Sequence, residues 1–137
     1  DIHLSKVILV IDDSYVNREI MKDYIEDVGD GFEVICAAGG SEGLDILRQL
    51  NENNAKGNNP SFPVCIFLDI QMPDMNGYET ARAIRVLGGK YEKVDIIAMS
   101  AGDTREDMEQ AYESGMDKYL VKPVNMESLC DILKEYS

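Results

Sequence analysis

Five short runs of β-branched and large apolar residues, each followed by a longer helical pattern, constrain this chain more than any other feature. The runs are Val7 to Ile11, Glu33 to Ala37, Val64 to Leu68, Val94 to Met99 and Lys118 to Val121. Short and nearly continuous in apolar character, they fit strands buried on both faces. The patterns between them predict helices from about Ser14 to Val28, Ser41 to Asn53, Asn76 to Leu87, Thr104 to Ser114 and Met126 to Tyr136. In the first, Val16, Ile20, Tyr24 and Ile25 are spaced to share a face; in the second, Leu44, Leu47 and Leu50 form one stripe. Thr104 with Asp107 predicts a capped start for the fourth helix, and Asn125 does so for the fifth. A strand–helix unit repeated five times predicts an α/β fold, a five-stranded parallel sheet flanked by five helices. The connections are short except for Asn51 to Pro63, rich in Asn, Gly and Pro, which reads as a mobile surface loop.

The length of 137 residues suits one domain spanning 1–137. With 26 acidic and 13 basic side chains the formal net charge is −13, which argues against a surface built to grip nucleic acid. It leaves room for a divalent cation or a basic partner. No apolar run approaches the roughly 18 residues of a membrane span. No cleavable signal pattern opens the chain, and it reads as cytoplasmic. A start at Asp1 rather than Met reads as a piece of a longer protein. Cys36, Cys65 and Cys130 lack metal-type spacing and read as reduced core residues. The seven methionines read as core and loop filling. His3 is the sole histidine, so a His-based catalytic or zinc site is not expected.

Open parallel sheets place their sites beyond the carboxyl ends of the strands. There the first run delivers Asp12 and Asp13, the third Asp69, the fourth Ser100, and the fifth Lys122 followed by Pro123. Carboxylates held together repel, and something must neutralise them. Mg2+ does so with oxygen ligands. Lys122 adds a point charge that can pair with a carboxylate or a phosphoryl oxygen, and Ser100 offers a hydroxyl donor. An Asp carboxylate can attack phosphorus to give an acyl phosphate. These parts suit phosphoryl transfer to Asp69, with metal and lysine stabilising charge on the equatorial oxygens.

Four segments, in this order, carry a resemblance. They are Val7-Ile8-Leu9-Val10-Ile11-Asp12-Asp13-Ser14 with Arg18, Leu68-Asp69-Ile70-Gln71-Met72-Pro73-Asp74-Met75-Asn76-Gly77, Ile97-Ala98-Met99-Ser100-Ala101, and Tyr119-Leu120-Val121-Lys122-Pro123. Together, over nearly the whole chain, they resemble the receiver domain of two-component response regulators, a flavodoxin-like fold. The resemblance implies that Asp69 accepts a phosphoryl group from a phosphohistidine on a histidine kinase or histidine phosphotransfer protein. It implies Mg2+ held by Asp13, Asp69 and the main-chain carbonyl of Gln71, with Asp12 acting directly or through water. Lys122 would contact the phosphoryl group, and Ser100 would bond one of its oxygens and draw its loop inward. Tyr119 would be the aromatic switch, and the surface of the last two helices and last strand would change for a partner. A cis bond between Lys122 and Pro123 is implied, as is a close approach at Gly77. Gln71 and Gly102 occupy positions that tune hydrolysis of the phosphoaspartate in the family. Many relatives carry Pro where Asp95 stands, a change of little consequence for the chemistry. The 51–63 loop is longer than the minimal pattern.

Competing readings are a degenerate receiver acting as a phosphorylation-independent binding module and an Asp-nucleophile phosphatase of similar topology. The first is opposed by the intact acidic pair, Asp69, Ser100 and Lys122. The second usually needs an Asp two positions after the nucleophile, where Gln71 stands. A flavin module lacks its phosphate-cradling loop after the first strand. Nothing after Tyr136 reads as an output domain, so the resemblance leaves a free-standing regulator or a receiver from a hybrid histidine kinase. The Gly77-Tyr78-Glu79 and Ile96-Ile97-Ala98-Met99-Ser100 segments lean toward the latter.

Overall fold

The computed structural model describes residues 6–28, 31–57 and 62–137. Its elements are β1 (Lys6–Ile11), α1 (Tyr15–Asp27), β2 (Phe32–Ala37), α2 (Gly40–Ala55), β3 (Pro63–Asp69), α3 (Gly77–Val86), β4 (Asp95–Ser100), α4 (Arg105–Glu113), β5 (Lys118–Val121) and α5 (Met126–Leu133). All five strands are parallel, in the order β2-β1-β3-β4-β5. The chain reverses its direction of sheet building after β1 and β2, so the crevice between the ends of β1 and β3 is a switch point.

The strands alternate between two cores, as a period of two requires. Leu9, Ile11, Ile66, Leu68, Ile96 and Ala98 face α2, α3 and α4. Ile8, Val10, Cys65, Phe67, Ile97 and Met99 face α1 and α5. Burial on both sides explains why these segments read as continuous apolar runs. Four of the five helix starts are set by polar caps, α2 after Gly39 being the exception. Ser14 accepts from Asn17 N, Thr104 from Asp107 N, and Asn125 from Ser128 N, while Asn76 and Glu79 form a reciprocal box.

Several boundaries and faces differ from the sequence expectation. On α1 the core takes Met21 and Ile25, whereas Val16 is 63% and Ile20 41% exposed. Two apolar stripes run side by side on this helix, one residue apart; the second enters the core, and of the first only Tyr24 packs against its margin. α2 runs on to Ala55, so the first five residues of the expected 51–63 loop are helical. Side-chain amides support that last turn: Asn54 donates to Leu50 O and Gln49 to Asn53. The expected mobility of the loop falls mostly on 58–61, outside the described residues, as does His3. α5 stops at Leu133 instead of Tyr136. Tyr136 instead donates from its hydroxyl to Asp95 at 2.6 Å and accepts from Lys118 Nζ at 2.8 Å. A 3-10 turn at Gly89–Glu92, unforeseen, buries Tyr91 completely, with its hydroxyl on Leu47 O at 2.9 Å. The cysteines are free; Cys65 is buried, but Cys36 and Cys130 are only half-buried. Met21, Met72, Met99 and Met116 are core residues. Among the described residues no helix is long and apolar enough to cross a membrane.

Candidate functional site

The strand register draws the polar residues together. Ile11 pairs with Leu68, Asp69 with Met99, and Ser100 with Val121, so the residues at and just past these strand ends stand level along one edge. Asp12 is fully buried, Asp69 is 3% exposed and Ser100 4%, while Asp13 is exposed. Lys122 Nζ lies 3.1 Å from Asp69 Oδ1 and 3.3 Å from Asp12 Oδ2. Asp12 Oδ1 also accepts from Ser14 N at 2.9 Å, and its carbonyl accepts from Arg18 Nη1 at 2.8 Å. Gln71 meets the site through its backbone, its N–H donating to Asp69 Oδ1 at 3.2 Å.

One carboxylate oxygen from each of Asp12, Asp13 and Asp69 lies within 4.8 Å of the other two. One ammonium cannot balance three carboxylates. The imbalance shows in Asp69, whose pKa is pushed up to about 6 by burial and by the charge of Asp12, against the pull of Lys122 and the Gln71 N–H. Burial draws the Lys122 ammonium down, but the carboxylates of Asp69 and Asp12 leave it raised. A hard divalent cation matches this donor set, because oxygen ligands and uncompensated negative charge are what such ions require.

The loop after β4 joins Ser100 to Tyr119. Gly102 N donates to Ser100 Oγ at 3.1 Å, and the Tyr119 hydroxyl donates to Gly102 O at 2.7 Å. Lys122 N donates to Ser100 O at 2.8 Å, which extends the β4–β5 ladder to the lysine. The Lys122–Pro123 bond is cis. A Cβ at Gly77 would stand 2.6 Å from both Asp69 O and Ile70 Cα, so α3 starts in contact with the end of β3 only because residue 77 has no side chain. The structure therefore brings Asp12, Asp13, Asp69, Lys122 and the Gln71 backbone together, with Ser100, Gly102 and Tyr119 in one bonded loop beside them. Sequence reasoning missed a cleft of about 450 Å³ next to Asp12 and Lys122, walled by Ile20, Met21, Tyr24 and Val124. The available signal was the apolar face of α1 that carries Val16, Ile20 and Tyr24.

The profile of the response regulator receiver domain matches residues 8–134. The chain belongs to this family. The receiver is 32% identical over 131 residues to hybrid signal transduction histidine kinase L of Dictyostelium discoideum, covering 94% of this chain and 7% of that kinase. It thus spans a small part of the relatives it matches. Among solved structures, the receiver domain of histidine kinase CKI1 from Arabidopsis thaliana, complexed with Mg2+ and BeF3−, superposes with a TM-score of 0.81 at 31% identity, covering 95% of this chain and 88% of that one. Chemotaxis response regulator CheY4 of Vibrio cholerae gives 0.77 at 27%, covering 97% and 99%. The chain is a receiver domain of two-component phosphorelay signalling, with the flavodoxin-like fold of CheY. The binding-module and phosphatase readings gain no support from these likenesses.

Proposed function

We propose that Asp69 accepts a phosphoryl group from a phosphohistidine of a histidine kinase or phosphotransfer protein. One observation carries the reading. Asp69 is a buried carboxylate with a raised pKa, held 3.1 Å from the Lys122 ammonium beside Asp12 and Asp13. In the transfer, an Asp69 oxygen forms a bond to phosphorus as the N–P bond of phosphohistidine breaks, and the departing imidazole takes up a proton. Lys122 follows one developing phosphoryl oxygen, and the Ser100 hydroxyl donates to another. Mg2+ is the cation the site would hold, through Asp13, Asp69, the Gln71 carbonyl and Asp12 directly or through water. When bound, it supplies charge neutralisation for the phosphoryl oxygens. Support comes from the CKI1 receiver, which was solved with Mg2+ and BeF3−.

The donor would approach over the α1 side, where Ile20 and Tyr24 wall the cleft at Asp12 and Lys122, and Tyr15 and Val16 on the same helix are 66% and 63% exposed. The output would follow from Ser100 and Tyr119 through the α4, β5 and α5 surface. We read the chain as one signalling domain, 1–137, of a cytoplasmic hybrid histidine kinase, with no turnover reaction beyond self-catalysed phosphotransfer and hydrolysis. The test is intact mass after mixing with a small phosphodonor, with and without Mg2+. A single phosphoryl adduct that needs Mg2+ and vanishes in Asp69→Asn is expected. Adduct persisting in Asp69→Asn would overturn the assignment.

A further inference from the structure

The first turn of α4 carries a carboxylate, that of Asp107, which the acceptor chemistry leaves unused. A Cβ placed on Gly102 would collide with Asp107 Oδ2, and would lie 3.2 Å from Asp107 Cγ and 3.6 Å from Ser100 Oγ. The Asp107 carboxylate thus fills the space that a side chain at position 102 would take. It stands within about 6 Å of the Ser100 hydroxyl, inside the screening distance of physiological salt. Asp107 takes part in none of the ion pairs among the described residues. Arg105, its nearest basic neighbour in sequence, is bound to Glu109. Tyr78 also feels the charge: burial, then Asp107, then Tyr119 raise its phenol pKa.

We infer that Asp107 is a positioning residue that couples negative charge arriving at Ser100 to the first turn of α4. The inference rests on the reading that Asp69 is phosphorylated. A phosphoryl group bonded by Ser100 brings like charge toward the Asp107 carboxylate, and Gly102 has no side chain to stand between them. Asp107 is the third residue of α4, and its N–H is held by the Thr104 hydroxyl, so displacement of the carboxylate pulls on the helix start. α4 resists weakly, because Ala111 is its one buried residue. Coupling is reciprocal: a carboxylate displaced by the phosphoryl group also opposes its arrival.

Two substitutions reach this device by different physics. Asp107→Asn keeps the shape and removes the charge. It should speed phosphorylation of Asp69 by acetyl phosphate about threefold at low salt, the gain shrinking as salt rises. It should also reduce the phosphorylation-dependent amide shifts of residues 105–108 by about half. Asp107→Glu should restore the wild-type rate. Gly102→Ala keeps the charge but pushes the carboxylate away, so the unphosphorylated protein should already show those amides shifted toward their phosphorylated positions. Wild-type rates, salt dependence and amide shifts in Asp107→Asn would overturn the inference while intact mass still showed the adduct. A wild-type chain that takes no phosphoryl group would overturn the acceptor reading along with it.

Discussion

Asp69 is where burial and charge conflict most directly. Its carboxylate is 3% exposed and its pKa is pushed up to about 6, whereas an unfolded Asp titrates near 3.9. A folded-state value above the unfolded one means that the protonated residue favours the fold. That contribution is complete below about pH 4 and is lost as pH rises through about 6. Metal-free protein should therefore gain on the order of 2 kcal/mol from this residue between pH 7 and pH 4. Urea unfolding of wild type and Asp69→Asn at both values isolates it. The wild type should gain more on acidification than the variant, and equal responses would contradict the charge balance described for the site. Asp13, Ser100 and Lys122 were all legible at this scale, because strand ends can be located from apolar runs alone. The role of Gly102 was legible only in part, since the carboxylate that fills its empty space comes from the next helix.

At the scale of elements, two side chains carry information that periodicity does not. Arg85, near the end of α3, donates to Gly115 O, Tyr91 O, Val94 O and Asp117 Oδ2 at 2.5 to 3.1 Å. It ties α3 to the 3-10 turn and to the connection between α4 and β5. Arg85→Met should cost about 2 kcal/mol in denaturant unfolding, because partly buried carbonyls lose charged donors. The second side chain is Ile20. It shares a helix face with Val16, and both are exposed, so Ile20→Ser should change stability by less than about 0.5 kcal/mol. Phosphoryl transfer from a protein donor should slow about tenfold in that variant, with the small-donor rate unchanged. A comparable slowing with both donors would point to damage at Asp69 instead of a docking surface. Asp95, expected to matter little to the chemistry, sits at the end of the sheet opposite the site, where Lys118 and Tyr136 fasten the turn after α5. Tyr136 lies three residues past the helix it was assigned to, because a tertiary partner and not helical spacing holds it.

For the whole molecule, the carboxylate cluster exists only when β1 and β3 lie side by side, since Asp12 and Asp13 are far in sequence from Asp69. A cation that binds the folded chain alone must stabilise it, by about 2.7 kcal/mol at a hundredfold excess over its dissociation constant. Mg2+ should therefore raise the unfolding temperature. Asp13→Asn should remove most of that rise without lowering the metal-free value, because Asp13 is exposed and outside the core. A wild-type-sized Mg2+ response in the variant would place the cation on other ligands. The sequence by itself determined the parallel α/β fold, the caps at Thr104 and Asn125, and the convergence of Asp12, Asp69, Ser100 and Lys122. Each of these follows from local patterns plus the rule that parallel strands present their carboxyl ends together. Only the tertiary structure decided which stripe of α1 meets the sheet, that Tyr91 is core, that α2 continues to Ala55, and that Asp107 fills the space over Gly102. Those outcomes depend on packing between segments distant in sequence, where burial and charge are shared by neighbours that no local pattern names.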